Sequence, residues 1–154
     1  YEPQQVLDTA QALYERKLTT YPRSDCEYLP TNQFKDSQSI LTNLQGCGDD
    51  TLANWAKGAD GKIKSRAWND KKISAHHAII PTRVKADLSK MNVVERNIYF
   101  LIAQAYMAQF YPVHTYYQTK VEVAYKEELF SELGLGWAAG IRFALKEFSK
   151  KYKN

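Results

Sequence analysis

One short segment of the sequence combines the residue types needed for attack on a phosphodiester. Thr20-Tyr21-Pro22-Arg23-Ser24-Asp25 places Tyr21 beside a proline that restricts the backbone and two residues before an arginine. Free tyrosine ionises only near pH ~10, so a tyrosine nucleophile at neutral pH needs its proton removed or its charge stabilised. The Arg23 guanidinium would stabilise that charge and bind phosphate oxygens with paired hydrogen bonds. Tyr21 and Arg23 are therefore candidate catalytic residues, although an isolated Tyr-Pro-Arg is usually a packed tyrosine on a loop.

A second segment, Ser74–Thr82, contains adjacent histidines ahead of an apolar run. Neighbouring side chains of an extended segment face opposite sides, so His76 and His77 do not readily bind one metal ion, and no third ligand lies near them. One imidazole can instead donate a hydrogen bond to a phosphate while the other packs or meets solvent. The residues alone leave open whether either histidine is functional or structural.

Positive charge is concentrated in the middle of the chain. Residues 57–90 contain nine lysines and arginines against three aspartates, whereas residues 1–56 carry net negative charge. Such a block either follows the phosphates of a nucleic acid or forms a solvated loop. Arg66, Lys71 and Lys72 lead into the histidine segment and are the candidate DNA contacts if this block follows phosphates; the residues alone leave both alternatives open.

These segments belong to a chain of 154 residues, 44% hydrophobic and 25% charged, which is the size and balance of one globular domain. Its most apolar stretch, 98–110, is interrupted by glutamines and falls short of the ~20 residues of a membrane span, so we expect a soluble protein. The first fifteen residues are amphipathic and polar and do not form a signal-peptide pattern. The absence of an initiating methionine suggests a piece of a longer protein. Cys26 and Cys47 lack zinc-site or disulfide spacing, and we expect reduced thiols in a cytoplasmic protein.

Local patterns predict the elements that position the two motifs. In chain order they are a helix from Pro3 to about residue 16, a loop or strand over 19–30, a helix capped by Thr31 and ending at Gly46, and a helix over 51–57. An exposed loop follows over 58–70.

The second half of the chain carries a capping-box pattern, Asn92 with Glu95, which predicts a helix that Pro112 closes. Its expected inward face consists of Val94, Ile98, Leu101, Ile102 and Ala105. Residues 115–125 alternate with period two, which predicts a strand. From Trp137 the pattern is that of an amphipathic helix with a basic outer face.

Taken together and in this order, the motifs resemble the type IA DNA topoisomerases and, within them, the topoisomerase III branch. The resemblance covers about residues 3–130. It rests on Gln4–Glu15, Thr20–Asp25 with Tyr28-Leu29-Pro30, Trp68–Lys72 running into Ala75–Thr82, and Tyr99–Tyr106.

The resemblance implies a role for each motif residue. Tyr21 would be the nucleophile that cuts one strand of single-stranded DNA through a 5′-phosphotyrosine link, which allows strand passage and resealing without ATP. Arg23 would position the scissile phosphate, and His76 would contact it. His76 is chosen over His77 because the family's Ala-His precedes a variable residue and then Ala-Ile.

The family's acidic magnesium site lies in a separate N-terminal domain, and this chain has no comparable acidic cluster. Asp49-Asp50 look instead like a helix N-terminus. We therefore expect a fragment that is inactive alone and binds no cofactor itself, with Mg²⁺ required by the whole enzyme. The implied partners are single-stranded DNA and the remaining domains, with no membrane, in a bacterial cytoplasm at the chromosome or a plasmid.

The expected fold is α+β and mostly α-helical, a compact helix-turn-helix or CAP-like topoisomerase domain with a C-terminal β-strand region. Residues 1–113 would form the nucleophile-bearing domain and 114–130 strands that belong to or lead into the arch domain. Residues 131–154 would form a basic amphipathic helix of uncertain origin.

Two other functions remain open from the residues. One is a non-catalytic DNA-binding module that stacks bases on Trp55, Trp68 and Tyr28. The other is a relaxase-type nuclease, which needs two histidines flanking one apolar residue, a spacing that His76-His77 lacks.

Overall fold

The computed structural model describes residues 1–113, 115, 118–125 and 128–135. The chain divides into two compact units, Tyr1–Pro112 and Val113–Asn154. The first unit contains four α-helices: α1 Pro3–Glu15, α2 Ser37–Gln45, α3 Asp50–Gly58 and α4 Val93–Met107. Short 3-10 turns cover Thr31–Asp36, Asp70–Lys72, Leu88–Lys90 and Ala108–Phe110. The prediction of a mostly helical protein is confirmed.

Local capping explains where two of these helices begin. The Asp49 carboxylate accepts hydrogen bonds from the backbone N–H groups of Thr51 and Leu52, both at 3.0 Å, and so caps α3. At α4, Asn92 Oδ1 accepts from the Glu95 N–H at 3.0 Å while the Glu95 carboxylate accepts from the Asn92 N–H at 3.1 Å. The predicted helix N-terminus at Asp49-Asp50 and the predicted capping box are both confirmed.

The helix expected from Thr31 begins later than predicted. Residues Thr31–Asp36 form a 3-10 turn, and α2 starts at Ser37. The Asp70 carboxylate accepts hydrogen bonds from the Thr31 N–H, at 2.8 Å, and from its hydroxyl. Thr31 therefore bonds to a distant segment instead of capping a helix.

An aromatic cluster fills the core of the first unit. The ring of Phe34 lies edge-on to Trp68 at 5.0 Å and stacked on Phe110 at 6.3 Å, and Tyr106 meets Phe110 at 5.1 Å. Trp68 is only 6% exposed. The prediction that 58–70 is an exposed loop is therefore wrong at Trp68, because this side chain closes the core while its polar neighbours face outward.

The inward face of α4 is rotated from the predicted one. Leu101 is 64% exposed, and Ala105 is also exposed. Of the predicted face, Ile98 is buried and Val94 and Ile102 pack against the core, and the other buried positions are Tyr99, Ala103, Tyr106 and Met107. The prediction failed there because it treated the aliphatic residues as the core stripe, whereas the large tyrosine rings occupy it.

The second unit contains an antiparallel hairpin. Strand β1 is Gln118–Tyr125, within the range whose alternation predicts a strand, and β2 is Glu128–Leu135. The register pairs Gln118 with Leu135 and Tyr125 with Glu128. Residues 131–135 are thus strand and not part of the predicted basic helix, because their backbone pairs with β1. The remainder of that predicted helix lies outside the described residues.

Within the described part of the chain, the helices are too short or too polar to cross a membrane.

Candidate active site

The predicted nucleophile lies on a loop that is fixed at both ends to the histidine segment. At one end the Thr20 N–H donates to the Ile80 carbonyl at 2.9 Å, next to an antiparallel bridge between Thr19 and Pro81. At the other end the Ala78 N–H donates to the Tyr28 carbonyl at 2.9 Å. Residues 21–27 therefore project from a base formed by residues 78–81.

The side chain of Thr20 strengthens this base immediately before Tyr21. Its hydroxyl oxygen accepts a hydrogen bond from the Ile80 N–H at 2.9 Å, and the hydroxyl donates to the Ala78 carbonyl at 3.3 Å. Thr20 is only partly exposed. The position of Tyr21 is thus tied to the segment that follows His76.

Tyr21 and His76 meet. Their ring centroids lie 4.5 Å apart with the planes tilted by 32°. Tyr21 is half-buried and His76 is exposed, so the pair lies at the surface. A phenol beside an imidazole, both open to solvent, places a potential nucleophile and a hydrogen-bond donor where a phosphate can reach them.

Tyr14, at the end of α1, is the residue of this site that sequence reasoning missed. Its ring meets that of Tyr21 edge-on, at 5.7 Å and 85°. Tyr14 is 39% exposed although it falls on the apolar stripe of α1. The stripe predicted a core position, and no local pattern indicated that this end of the stripe would contact the motif tyrosine.

Arg23 is exposed. Among the described residues its guanidinium makes no salt bridge, and no hydrogen bond joins it to Tyr21 or His76. The structure therefore brings together Tyr21 and His76, whereas Arg23 is close to Tyr21 along the chain. A guanidinium without a carboxylate partner can bind an anion without breaking an ion pair.

His77 faces a different neighbour from His76. Its Nδ1 lies 2.7 Å from the Ala78 carbonyl oxygen, and its Nε2 lies 3.1 Å from the Gln33 side-chain nitrogen. Its ring is partly buried. The two histidines thus have separate surroundings, as expected for neighbouring side chains.

The predicted DNA-contacting cations lie on exposed positions. Lys72 Nζ donates to the Tyr28 hydroxyl at 2.9 Å and lies 4.7 Å from the centre of that ring. Arg66 and Lys71 are exposed. An open cavity of about 270 Å³ borders this cation, lined by Asp25, Cys26, Glu27, Tyr28, Lys72 and Ser74.

Asp70 is exposed and precedes Lys71 and Lys72 in the same 3-10 turn. Hydrogen bonds from the hydroxyl and N–H of Thr31 to its carboxylate hold the pKa of Asp70 below its ordinary value. The ionised Asp70 carboxylate therefore links the turn Asp70–Lys72, which carries the two lysines, to Thr31.

The described residues do not fit a magnesium site. Across these ranges, no group of three or more histidine, cysteine, aspartate or glutamate side chains is placed to bind a metal ion. Magnesium is usually held by carboxylates together with water or phosphate, and the exposed carboxylates of the Tyr21 loop, Asp25 and Glu27, are not part of such a group of three.

Comparison with known proteins identifies the class to which this fold and site belong. A family model described as DNA topoisomerase matches residues 1–138. The chain therefore belongs to the DNA topoisomerase family.

Individual relatives agree with the branch that the motifs indicated. The chain is 42% identical over 122 residues to the DNA topoisomerase 3 of Vibrio cholerae, an alignment covering 79% of this chain and 19% of that protein. Identity is 43% over 121 residues to the enzyme of the same name from Haemophilus influenzae, covering 77% and 18%. Identity to the DNA topoisomerase 3 of Staphylococcus saprophyticus is 35% over 130 residues, an alignment that covers 84% of this chain and 18% of that protein. The chain thus spans about a fifth of the length of these relatives, and the resemblance to topoisomerase III is confirmed.

Proposed function

We propose that this chain is the nucleophile-bearing part of a type IA DNA topoisomerase that cuts one strand of single-stranded DNA. The observation that carries the proposal is the contact between the rings of Tyr21 and His76, 4.5 Å apart, within a chain of the DNA topoisomerase family. Both residues occupy the positions that the family motifs assign to the nucleophile and to a phosphate contact.

In the proposed reaction, the Tyr21 oxygen attacks the phosphorus of a phosphodiester and its proton is lost. The bond from phosphorus to the 3′ oxygen breaks, and that oxygen leaves as a 3′-hydroxyl after gaining a proton. The 5′ phosphate then stays joined to Tyr21. Because this ester preserves the phosphodiester energy, attack by the 3′-hydroxyl reseals the strand without ATP.

Arg23 and His76 would stabilise the negative charge that develops on the phosphate during both steps. The exposed guanidinium supplies two parallel donors, and the exposed imidazole supplies one. Lys71, Lys72 and Arg66 would bind flanking phosphates of the single strand, with a salt-sensitive affinity.

We further propose that this activity needs the other domains of a larger enzyme. The described residues lack an acidic cluster for magnesium, and the relatives are about five times longer than the matched region. In this proposal the helical unit is the helix-turn-helix or CAP-like domain, and the strands lead into the arch domain. The enzyme would act in the bacterial cytoplasm.

The decisive test compares Tyr21→Phe with the unchanged protein in the complete enzyme, using a single-stranded oligonucleotide. A 3′-labelled oligonucleotide should form a covalent protein adduct, whereas a 5′-labelled one should release a shorter fragment ending in a 3′-hydroxyl. Tyr21→Phe should abolish both products while leaving DNA affinity within about twofold. Tyr1→Phe, which removes an exposed hydroxyl elsewhere, is the matched control. Adduct formation by Tyr21→Phe at the normal rate would overturn the assignment.

One of the three residues expected to stack on bases in the alternative, a non-catalytic DNA-binding module, is buried. Trp68 is buried in the aromatic core, so it does not offer a face to a base. Tyr28 is partly exposed beside Lys72 and retains that possibility. The module would bind DNA normally and form no adduct in any variant.

A further inference from the structure

We propose that His77, through its hydrogen bond with Gln33, is a positioning residue that holds His76 against Tyr21. The proposal rests on the proposed function, because it concerns the geometry of the same two side chains. It assigns a role to the second histidine of the pair, which the cleavage reaction itself does not use.

The two hydrogen bonds of the His77 ring define one tautomer. A backbone carbonyl only accepts, so Nδ1, 2.7 Å from the Ala78 oxygen, must carry a proton. The Gln33 amide nitrogen only donates, so Nε2, 3.1 Å away, must accept. Both ring nitrogens are thus satisfied when Nδ1 is protonated and Nε2 is not.

Gln33 is a rigid partner because its turn is anchored in the core. It belongs to the 3-10 turn Thr31–Asp36, in which the Gln33 N–H donates to the Pro30 carbonyl at 3.1 Å. The next residue, Phe34, packs edge-on against the buried Trp68 ring at 5.0 Å. A bond to Gln33 therefore joins His77 to a turn that is packed against the aromatic core.

Fixing His77 also fixes the direction of His76. The chain just after His77 is held at Ala78 by the Tyr28 carbonyl and the Thr20 hydroxyl. Rotation of residues 76–78 is blocked because the His77 ring is bound to Gln33 and the backbone of Ala78 is bound to Tyr28. The His76 ring then lies on the Tyr21 side, 4.5 Å from the phenol ring. Without the Gln33 bond, the segment is free to turn and the imidazole to leave Tyr21.

Nuclear magnetic resonance on this chain tests the geometry directly. Long-range proton–nitrogen spectra should show His77 as a single tautomer protonated at Nδ1, and cross-relaxation should connect the Tyr21 and His76 rings. Gln33→Leu should give mixed His77 tautomers and weaken the Tyr21–His76 signal at least twofold. Gln45→Leu, at an exposed position at the end of α2, is the control and should change neither signal.

Cleavage kinetics in the complete enzyme test the consequence. Gln33→Leu should lower the kcat of oligonucleotide cleavage about tenfold and leave KM unchanged, since one neutral hydrogen bond that positions the donor is lost. A purely structural role would lower the fraction of folded protein and leave the kcat per active site unchanged. If the leucine variant unfolds, Gln33→Glu takes its place, because glutamate keeps the side-chain volume of glutamine. Its carboxylate only accepts, so Nε2 should become protonated.

The outcomes separate this inference from the proposed function. If Tyr21→Phe is inactive while Gln33→Leu retains the full kcat or a single His77 tautomer, the positioning role is wrong and the topoisomerase assignment stands. If Tyr21→Phe is active, the proposed function fails, whatever the spectra show. Loss of the ring contact together with the tenfold loss of kcat supports the positioning role.

Discussion

The ring of His76 lies 4.5 Å from the ring of Tyr21, although 55 residues separate them in the sequence. Two loops create the contact: one carries the phenol, the other the imidazole, and hydrogen bonds between residues 18–20 and 78–82 join their bases. These bonds involve backbone groups and the Thr20 hydroxyl, so the relative position of the two loop bases does not depend on the two rings.

Replacing His76 should slow cleavage without preventing DNA binding. Loss of one donor to a developing negative charge ordinarily costs about 10²–10³ in rate. We therefore expect His76→Ala in the complete enzyme to lower single-turnover cleavage by that factor. His76→Gln retains an N–H donor and should recover part of the rate. Equal rates for the alanine variant and the unchanged enzyme would remove His76 from the mechanism.

Thr20→Val should destabilise the base of the Tyr21 loop. Valine keeps the shape of threonine but leaves the Ile80 N–H without its side-chain partner and removes one of the two side-chain donors of the Ala78 carbonyl, the other being His77 Nδ1. Leaving buried polar groups unpaired costs about 1–3 kcal/mol of unfolding free energy, measurable by urea denaturation of this chain. Thr20→Ser should restore most of it. Thr42→Val is the control, because that hydroxyl bonds only within the exposed surface of α2. Matching urea midpoints for the Thr20 and Thr42 variants would contradict this account.

The stability contributed by Asp70 should depend on pH in a defined direction. Hydrogen bonds from Thr31 lower its pKa in the folded state below the ordinary value of 3.8. A carboxyl group with a depressed folded pKa stabilises the fold fully above the unfolded pKa, and this stability is lost as pH falls through the folded pKa. Asp70→Asn should therefore be less stable at neutral pH, with the difference shrinking below about pH 4. Denaturant midpoints across that pH range measure the difference. Asp25→Asn is the control and should show a smaller change, because among the described residues no donor bonds to the Asp25 carboxylate as Thr31 does to Asp70.

The salt dependence of the affinity for single-stranded DNA should change when the charge of Lys72 is removed. If its ammonium contacts a phosphate, Lys72→Ala should lower the slope of log affinity against log salt by about 0.7. Lys90→Ala serves as the control, because Lys90 already pairs with Asp87 at 3.2 Å. Fluorescence anisotropy of a labelled oligonucleotide at several salt concentrations gives the slopes. An unchanged slope for Lys72→Ala would place this cation away from the DNA.

Sequence reasoning succeeded where an element depends on residues a few positions apart. The caps at Asp49 and at Asn92 with Glu95 are bonds within one helical turn, so their residue types predict helix starts directly. It failed where burial depends on distant neighbours. Leu101 is as apolar as any core residue, yet it faces outward because the tyrosine rings of α4 fill the space against the rest of the unit.

By itself the sequence determined the chemistry that the chain carries: the motif around Tyr21, the histidine pair, the capped helices and the family to which they belong. Only the tertiary structure decided that the His76 ring lies against the Tyr21 ring, that Trp68 closes the core, and that Tyr14 lies against the same phenol. Motifs and helix caps depend on residues that are neighbours in the sequence, so the sequence alone predicts them. The site is made by hydrogen bonds and ring contacts between segments far apart in the chain, and these exist only once the chain has folded.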